Sequence, residues 1–248
     1  MNWRVISWLG MLLYAGRGWA SEPPIPYDGA GHILFRRGAP CGVKVEIYLD
    51  LACSDCEAAW PTMAQAAKEF DRGAEFTFRL FPLPYHKNAF TAAQAAQVVK
   101  LYSDEDDDVV ESFVDLVFEG QEKILNSATT DMTQTEIQDI FAAWAAIAGG
   151  VTAEEFASGM ADDALDQNAR HQFKYGCLHN IYGTPIVYVG GVLADSLSSG
   201  SATITSWRDL LAPIVPENLV NRKKYRRRDG AIVSVPWTST EVAPCGHT

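Results

Sequence analysis

Cys53 and Cys56 enclose Ser54 and Asp55, and this tetrad stands at a junction between two kinds of sequence. Val43 to Leu51 before it is apolar and β-prone, and an Ala-rich, helix-prone run follows at once. Strand, two cysteines and helix in that order place Cys53 near the first turn of a helix, with Cys56 one turn further on. A helix N-terminus carries unpaired N–H groups and about half a positive charge, so it favours a thiolate. That setting draws a cysteine pKa from about 8.5 into roughly 3.5–7.5. A thiolate three residues from a second thiol has the chemistry of disulfide exchange, with Cys53 attacking and Cys56 resolving. A zinc site built from Cys53, Cys56, Cys177 and His179 is the competing chemistry. It lacks the second closely spaced cysteine pair that structural zinc sites use, so no metal is expected.

The flanking elements must hold that pair in place. Val43 to Leu49 is β-branched and partly alternating, a strand. Cys53 through Phe70 reads as a helix with Pro61 inside it, and Trp60 two turns after Cys53 packs on the core. Glu75 to Phe81 alternates strictly, a second strand closed by Pro82-Leu83-Pro84. From Asn88 to Gly176 the pattern is helical. Asn88 is a natural cap for the helix over Phe90 to Tyr102. Thr133 to Ala148 and Thr152 to Tyr175 read as two further helices, each opened by a threonine with an acid three positions on, Glu136 and Glu155. The acids from Asp104 to Asp108 are consecutive and lack calcium-loop spacing, so they read as a solvated helix terminus. Ile186 to Val189 is a strand, Gly190-Gly191 a two-residue hairpin turn, and Trp207 to Ile214 a last helix.

Met1 to Ala20 has a basic start, an apolar run from Val5 to Leu13 and small residues at Gly18 and Ala20, the pattern of a cleaved signal peptide. The apolar run is too short to span a bilayer, so no stable membrane insertion is expected after cleavage. Losing Arg4 and Arg17 with that segment takes the basic count from 20 to 18 against 31 acids, and the formal charge from −11 to −13. So acidic a chain is not expected to bind nucleic acid. The C-terminus is not an ER-retention signal, so the expected location is the secretory-pathway lumen or the exterior. Five cysteines is an odd number for an oxidising compartment. A bridge between Cys41 and Cys245 is one arrangement. Cys177, eight residues before Pro185, either serves as a third, alternative resolving thiol or is buried or paired elsewhere.

Three motifs carry a family resemblance: Asp50-Leu51-Ala52-Cys53-Ser54-Asp55-Cys56; Leu80-Phe81-Pro82-Leu83-Pro84-Tyr85-His86-Lys87-Asn88-Ala89-Phe90 leading into Ala92 to Ala96; and Phe173 to Cys177 through Tyr182-Gly183-Thr184-Pro185 to Gly191. In order, with a helical block between the second and third, they resemble the DsbA-like branch of the thioredoxin superfamily, closest to its secreted eukaryotic members, over roughly residues 43–214. The resemblance implies an α/β thioredoxin-like fold, a central mixed sheet flanked by helices with an inserted all-helical subdomain. The resulting division is a signal peptide at 1–20, an N-terminal extension at 21–42, a first thioredoxin-like half at 43–86, a helical insertion at 87–176, the second half at 177–215 and a flexible tail at 216–248, whose basic run 222–228 reads as a solvated extension.

The resemblance further implies a cis Thr184–Pro185 bond beside the sulfurs, with Thr184 and Pro185 docking an extended substrate, and it implies no cofactor beyond the cysteines. Departures from the pattern matter. Ser54 and Asp55 stand where many oxidising relatives have Pro and His. The Asp55 carboxylate disfavours a neighbouring thiolate, so these two residues modulate the pair toward a less oxidising disulfide. Ile47 stands where thioredoxin keeps a buried acid, leaving Glu46 or Asp50 to take that place if geometry allows; His86 is a further candidate for a catalytic part. The expected function is a thiol–disulfide oxidoreductase acting on protein thiols or disulfides with an unidentified redox partner. The alternative is a non-catalytic module that uses the fold as a peptide or partner platform and keeps Cys53–Cys56 as a structural disulfide.

Overall fold

In the computed structural model, which describes residues 33–216 and Leu219, the two alternating runs become β2 (Val43–Leu49) and β3 (Ala74–Leu80), joined by α1 (Ser54–Glu69). A shorter strand, β1 (Phe35–Gly38), precedes them. β4 (Ile186–Val189) and β5 (Val192–Leu193) close the sheet, and α7 (Ile204–Leu211) follows. The sheet runs β1-β3-β2-β4-β5. β2 and β3 are parallel, while β1 on β3, β4 on β2 and β5 on β4 are antiparallel. The sheet is mixed and flanked by helices, the thioredoxin-like architecture expected of the sequence.

Alternation along β2 divides the core. Val45, Ile47 and Leu49 point to the face covered by α1 and α7, joining Trp60, Met63, Phe76, Phe78 and Trp207. Tyr48 points to the other face, where Phe81, Leu83, Tyr175, Ile181 and Ile186 form a smaller cluster. Trp60 is buried as expected, with Phe35, Phe78 and Phe118 at ring-centroid distances of 6.3, 5.5 and 5.6 Å. Its indole N–H donates to Asp115 Oδ1 at 2.5 Å. Full burial of each such ring contributes roughly 2–3 kcal/mol. Gly190 and Gly191 both take positive φ, 57° and 79°, which a two-residue turn between β4 and β5 requires of its central pair.

Between β3 and β4 lie α2 (Ala89–Tyr102), α3 (Asp107–Glu119), a 3₁₀ turn (Gln121–Lys123), α4 (Gln134–Gly149), α5 (Ala153–Met160) and α6 (Asp163–Leu178). The Ala-rich α2 is buried on most sides and packs against the other four helices. Both threonine caps form complete capping boxes, Thr133 with Glu136 and Thr152 with Glu155.

Some expectations are corrected. The stretch from Thr152 to Tyr175 is two helices, not one: Asp162 interrupts it by accepting the Ala164 N–H at 2.6 Å and capping α6. The N-terminal extension assigned to 21–42 contains strand β1. The arginines Arg36 and Arg37 hide its strand character from a hydropathy reading, yet they fasten it to α3. The Arg36 N–H donates to Asp107 Oδ2 at 3.2 Å, and Arg37 pairs with Glu111 at 2.5 Å and Asp108 at 2.7 Å. The acidic run is therefore a helix terminus, capped by Asp106, that also anchors an edge strand. Asn88 sits at the N-cap position of α2 but makes no capping bond. Its amide donates instead to Ile124 O at 2.8 Å and Thr129 Oγ1 at 2.7 Å, tying down the loop after α3. Among the described residues, no helix is long and apolar enough to cross a membrane. The expected signal peptide, most of the tail with its basic run, and Cys245 lie outside the described residues.

Candidate active site

Strand pairing brings three distant segments together. β2 and β3 are parallel with Leu49 opposite Leu80, so their C-terminal ends emerge side by side. β4 runs antiparallel to β2 with Ile186 opposite Tyr48, so the residues just before β4 meet the residues just after β2. The turn 50–53, the loop 82–88 and Thr184-Pro185 therefore share one end of the sheet. The Thr184–Pro185 bond is cis.

Cys53 is the N-cap of α1, with φ −91° and ψ 123°, and its carbonyl accepts the first helical bond from Glu57 N at 3.0 Å. Its thiol donates to the Thr184 carbonyl at 3.4 Å. The Cys53 thiol is pulled down to about 6. The Cys56 thiol, hydrogen-bonding to the sulfur, contributes most; burial opposes; Thr184 and the N–H groups of Cys56 and Asp55 add to the pull. The Thr184 hydroxyl is buried and has no hydrogen-bond partner among the described residues in this thiol form, which leaves it available to a thiolate. Cys56 is fully buried, and its sulfur accepts the Asp50 N–H at 3.4 Å. Burial, and then the hydrogen bond and charge of Cys53, push its thiol well above the ordinary range. Two thiols of opposite disposition thus face each other: one ionises near neutrality and touches the protein surface, the other holds its proton in the interior.

Asp50 is the buried acid beside this pair. Oδ1 accepts the Ala52 N–H at 2.8 Å, and Oδ2 accepts the Leu83 N–H at 3.0 Å and meets His86 Nδ1 at 2.6 Å. Burial raises its pKa, against those hydrogen bonds. Ile47 lies in the apolar core on α1's side of the sheet, and Glu46 is engaged elsewhere with Tyr48 and Arg79. Asp50 is thus the acid that the geometry favours, with His86 its partner. Tyr85, exposed beside His86 with ring centroids 4.8 Å apart, has its phenol raised by desolvation and then by the charges of Cys53, Asp50 and Cys56. Gln121, from the helical insertion, is buried and donates to the carbonyls of Leu51 and Cys53. No sequence pattern points to Gln121, because its partners lie 70 and 68 positions away.

Ser54 and Asp55 face solvent between the cysteines. Asp55 acts on the sulfur through its N–H, and the net shift of Cys53 is downward. Gly200 lies close against Asp55: a Cβ there would come within 3.1 Å of the Asp55 Cα, carbonyl oxygen and Oδ1. Cys177, one of whose expected readings is burial or pairing, is neither buried nor bonded. It is an exposed free thiol on the last turn of α6, where partial burial raises its pKa. Cys41 is disulfide-bonded. Among the described residues, no group of three or more His, Cys, Asp or Glu side chains is placed to hold a metal ion.

A thioredoxin family model matches residues 38–207. A search of curated proteins by sequence gives no match. Solved structures of similar fold include DsbA of Chlamydia trachomatis, 15% identical with a TM-score of 0.57, covering 76% of this chain and 92% of that one. BdbD of Bacillus subtilis is 17% identical with a TM-score of 0.55, covering 74% and 92%. The thiol-disulfide exchange protein alpha-DsbA2 of Wolbachia pipientis is 18% identical with a TM-score of 0.51, covering 72% and 86%.

Proposed function

The chain belongs to the thioredoxin family, and on that premise we propose that it is a thiol–disulfide oxidoreductase of the secretory pathway, exchanging disulfides with protein substrates through Cys53 and Cys56. One observation carries the reading. The sulfur of Cys53 sits at a helix N-terminus, held by Cys56 and Thr184 so that its thiol is drawn to about 6. A static structural pair has no need of an ionised member.

In the reducing direction the Cys53 thiolate attacks one sulfur of a substrate disulfide. A mixed disulfide forms and the other substrate sulfur leaves as a thiolate. Cys56 gives up its proton and attacks the Cys53 sulfur, the Cys53–substrate bond breaks, and the departing sulfur takes up a proton. The substrate gains two electrons and the protein is left with a Cys53–Cys56 disulfide. Oxidation of substrate thiols is the same sequence reversed. A substrate joined to Cys53 runs past the main chain of Thr184 and Pro185, since the Thr184 carbonyl is 3.4 Å from that sulfur. That contact supports a docking role for those two residues. Cys177, free and exposed, is the candidate third thiol in this scheme.

Location in the secretory lumen or outside the cell rests on the leader pattern of residues 1–20. Kinship with secreted eukaryotic members rests on the motifs alone; the solved neighbours named above are bacterial. The test is insulin reduction by glutathione or dithiothreitol, with wild type beside Cys53→Ser. Wild type is expected to accelerate precipitation of insulin chains and Cys53→Ser to fall to background. Equal rates for the two would end the proposal.

A further inference from the structure

Two peptide planes around Cys53, Leu51–Ala52 and Cys53–Ser54, are held from outside the thioredoxin-like half. Gln121 is 2% exposed and opens the 3₁₀ turn that follows α3. Its Nε2 donates to the Leu51 carbonyl at 3.0 Å and to the Cys53 carbonyl at 3.1 Å. The first contact fixes the Leu51–Ala52 plane, whose opposite edge, the Ala52 N–H, is held by Asp50 Oδ1 at 2.8 Å. The second fixes the Cys53–Ser54 plane, the first of α1. Between them the Cys53 N–H donates to the Asp50 carbonyl at 3.1 Å. With those two planes held by Gln121 and the intervening Ala52–Cys53 plane held by the Asp50 carbonyl, the backbone angles of Cys53 have little freedom, and the N–H groups of Asp55 and Cys56 stay aimed at its sulfur. Leu51 is buried, so leaving its carbonyl unpaired is costly, whereas the Cys53 carbonyl keeps the bond from Glu57 N.

We propose that Gln121 is a positioning residue, through which the helical insertion sets how readily Cys53 forms a thiolate. The inference rests on Cys53 being the attacking thiol. Without the Gln121 amide the two carbonyl oxygens lose a donor beside the sulfur, and the first turn of α1 is free to tilt its N–H groups away. Both effects disfavour negative charge at Cys53. The other ionisable groups around this sulfur stay as they are: Cys56 and Asp55 on α1, Asp50 behind the turn with His86 as its partner, and Tyr85 from the loop after β3.

A loosened interface alone makes a different prediction, and Asp115 separates the two. Asp115 attaches the same insertion to the same helix through Trp60 Nε1 at 2.5 Å but touches neither carbonyl. Removing that bond lowers stability without altering the donors at the sulfur.

The experiment is the pH profile of iodoacetamide alkylation at Cys53 in the reduced full-length chain, read on the Cys53 peptide by mass spectrometry, for wild type, Gln121→Met, Gln121→Ala and Asp115→Ala. Alkylation reads the thiolate directly, so the result does not depend on whether the protein exchanges disulfides with other proteins. Gln121→Met keeps the volume and removes both donors. The midpoint is expected to rise by about one pH unit in both Gln121 variants and to stay in place in Asp115→Ala. At pH 8 the equilibrium with glutathione is expected to move about tenfold toward the Cys53–Cys56 disulfide, or about 30 mV. Gln121 variants that titrate with wild type, or an Asp115→Ala shift of the same size, would overturn the proposal. Where neither Gln121 variant folds, the wild-type side-chain amide decides by NMR. Slow solvent exchange and a shift that follows Cys53 titration support the proposal, and exchange as fast as that of an exposed glutamine overturns it.

Discussion

The active-site turn and the helical insertion are held together by opposite means. In the insertion, order at the helix ends is local: Thr133, Thr152, Asp106 and Asp162 each cap a helix by accepting N–H groups two or three positions ahead. At the turn, local bonds such as Ala52 N–H to Asp50 and Asp50 N–H to the Cys56 sulfur are joined by bonds that cross the chain. Asp50 reaches Leu83 and His86 over 33 and 36 positions, Gln121 reaches Cys53 over 68, and Cys53 reaches Thr184 over 131. The insertion stabilises itself piece by piece. The turn exists only once the whole fold is assembled. Changes in the first region are therefore expected to subtract stability, and changes in the second to alter chemistry as well.

The widest separation between the regions comes from pH. A folded Cys53 thiol near 6 against an ordinary value of 9.0 means that the reduced protein gains stability from ionisation. That contribution is complete above about pH 9 and is lost as pH falls through about 6, with a span of roughly 4 kcal/mol. Cys56, shifted upward, acts only above that window. Urea midpoints of reduced wild type are expected to rise between pH 6 and 9, and those of Cys53→Ser to rise far less, through the lowered His171 at the bottom of that window alone. Next in size is Asp50→Ala, which strips acceptors from Ala52, Leu83 and His86 and is expected to cost about 3 kcal/mol while moving the Cys53 alkylation midpoint. Asp106→Ala, which removes the cap of α3, should cost about 1 kcal/mol and leave that midpoint in place. Smallest is Arg170→Ala on the exposed face of α6, where the pair with Asp166 is worth about 0.3–0.5 kcal/mol. A cap variant that shifted the alkylation midpoint as far as Asp50→Ala would erase the distinction between the regions.

The same contrast explains what could be read from the sequence. Strands β2 and β3, the helix after Cys53, both capping boxes and the Gly190-Gly191 turn follow from patterns within a few residues, and the structure contains each of them. The meeting of Cys53 with Thr184 was accessible only through the family resemblance, because strand order is not written in local pattern. β1 was hidden because its stability comes from Asp107, Asp108 and Glu111 more than 70 positions away. The break between α5 and α6 hinges on which way the Asp162 side chain turns, and the alternative use of Asn88 depends on a loop that passes near it. Gln121 carries no signal at all: one glutamine after a helix becomes notable only when two carbonyls from another segment reach it. That the Asp55 side chain turns outward while its N–H faces the sulfur depends on the assembled turn and has no local pattern.

The most direct measurement is the reduction potential of the Cys53–Cys56 couple, from equilibration with glutathione and alkylation trapping. A reduced state stabilised by a thiolate near 6 predicts a value close to the glutathione poise of a secretory compartment, about −180 to −210 mV. A value well below about −300 mV would mark a structural disulfide and contradict the account.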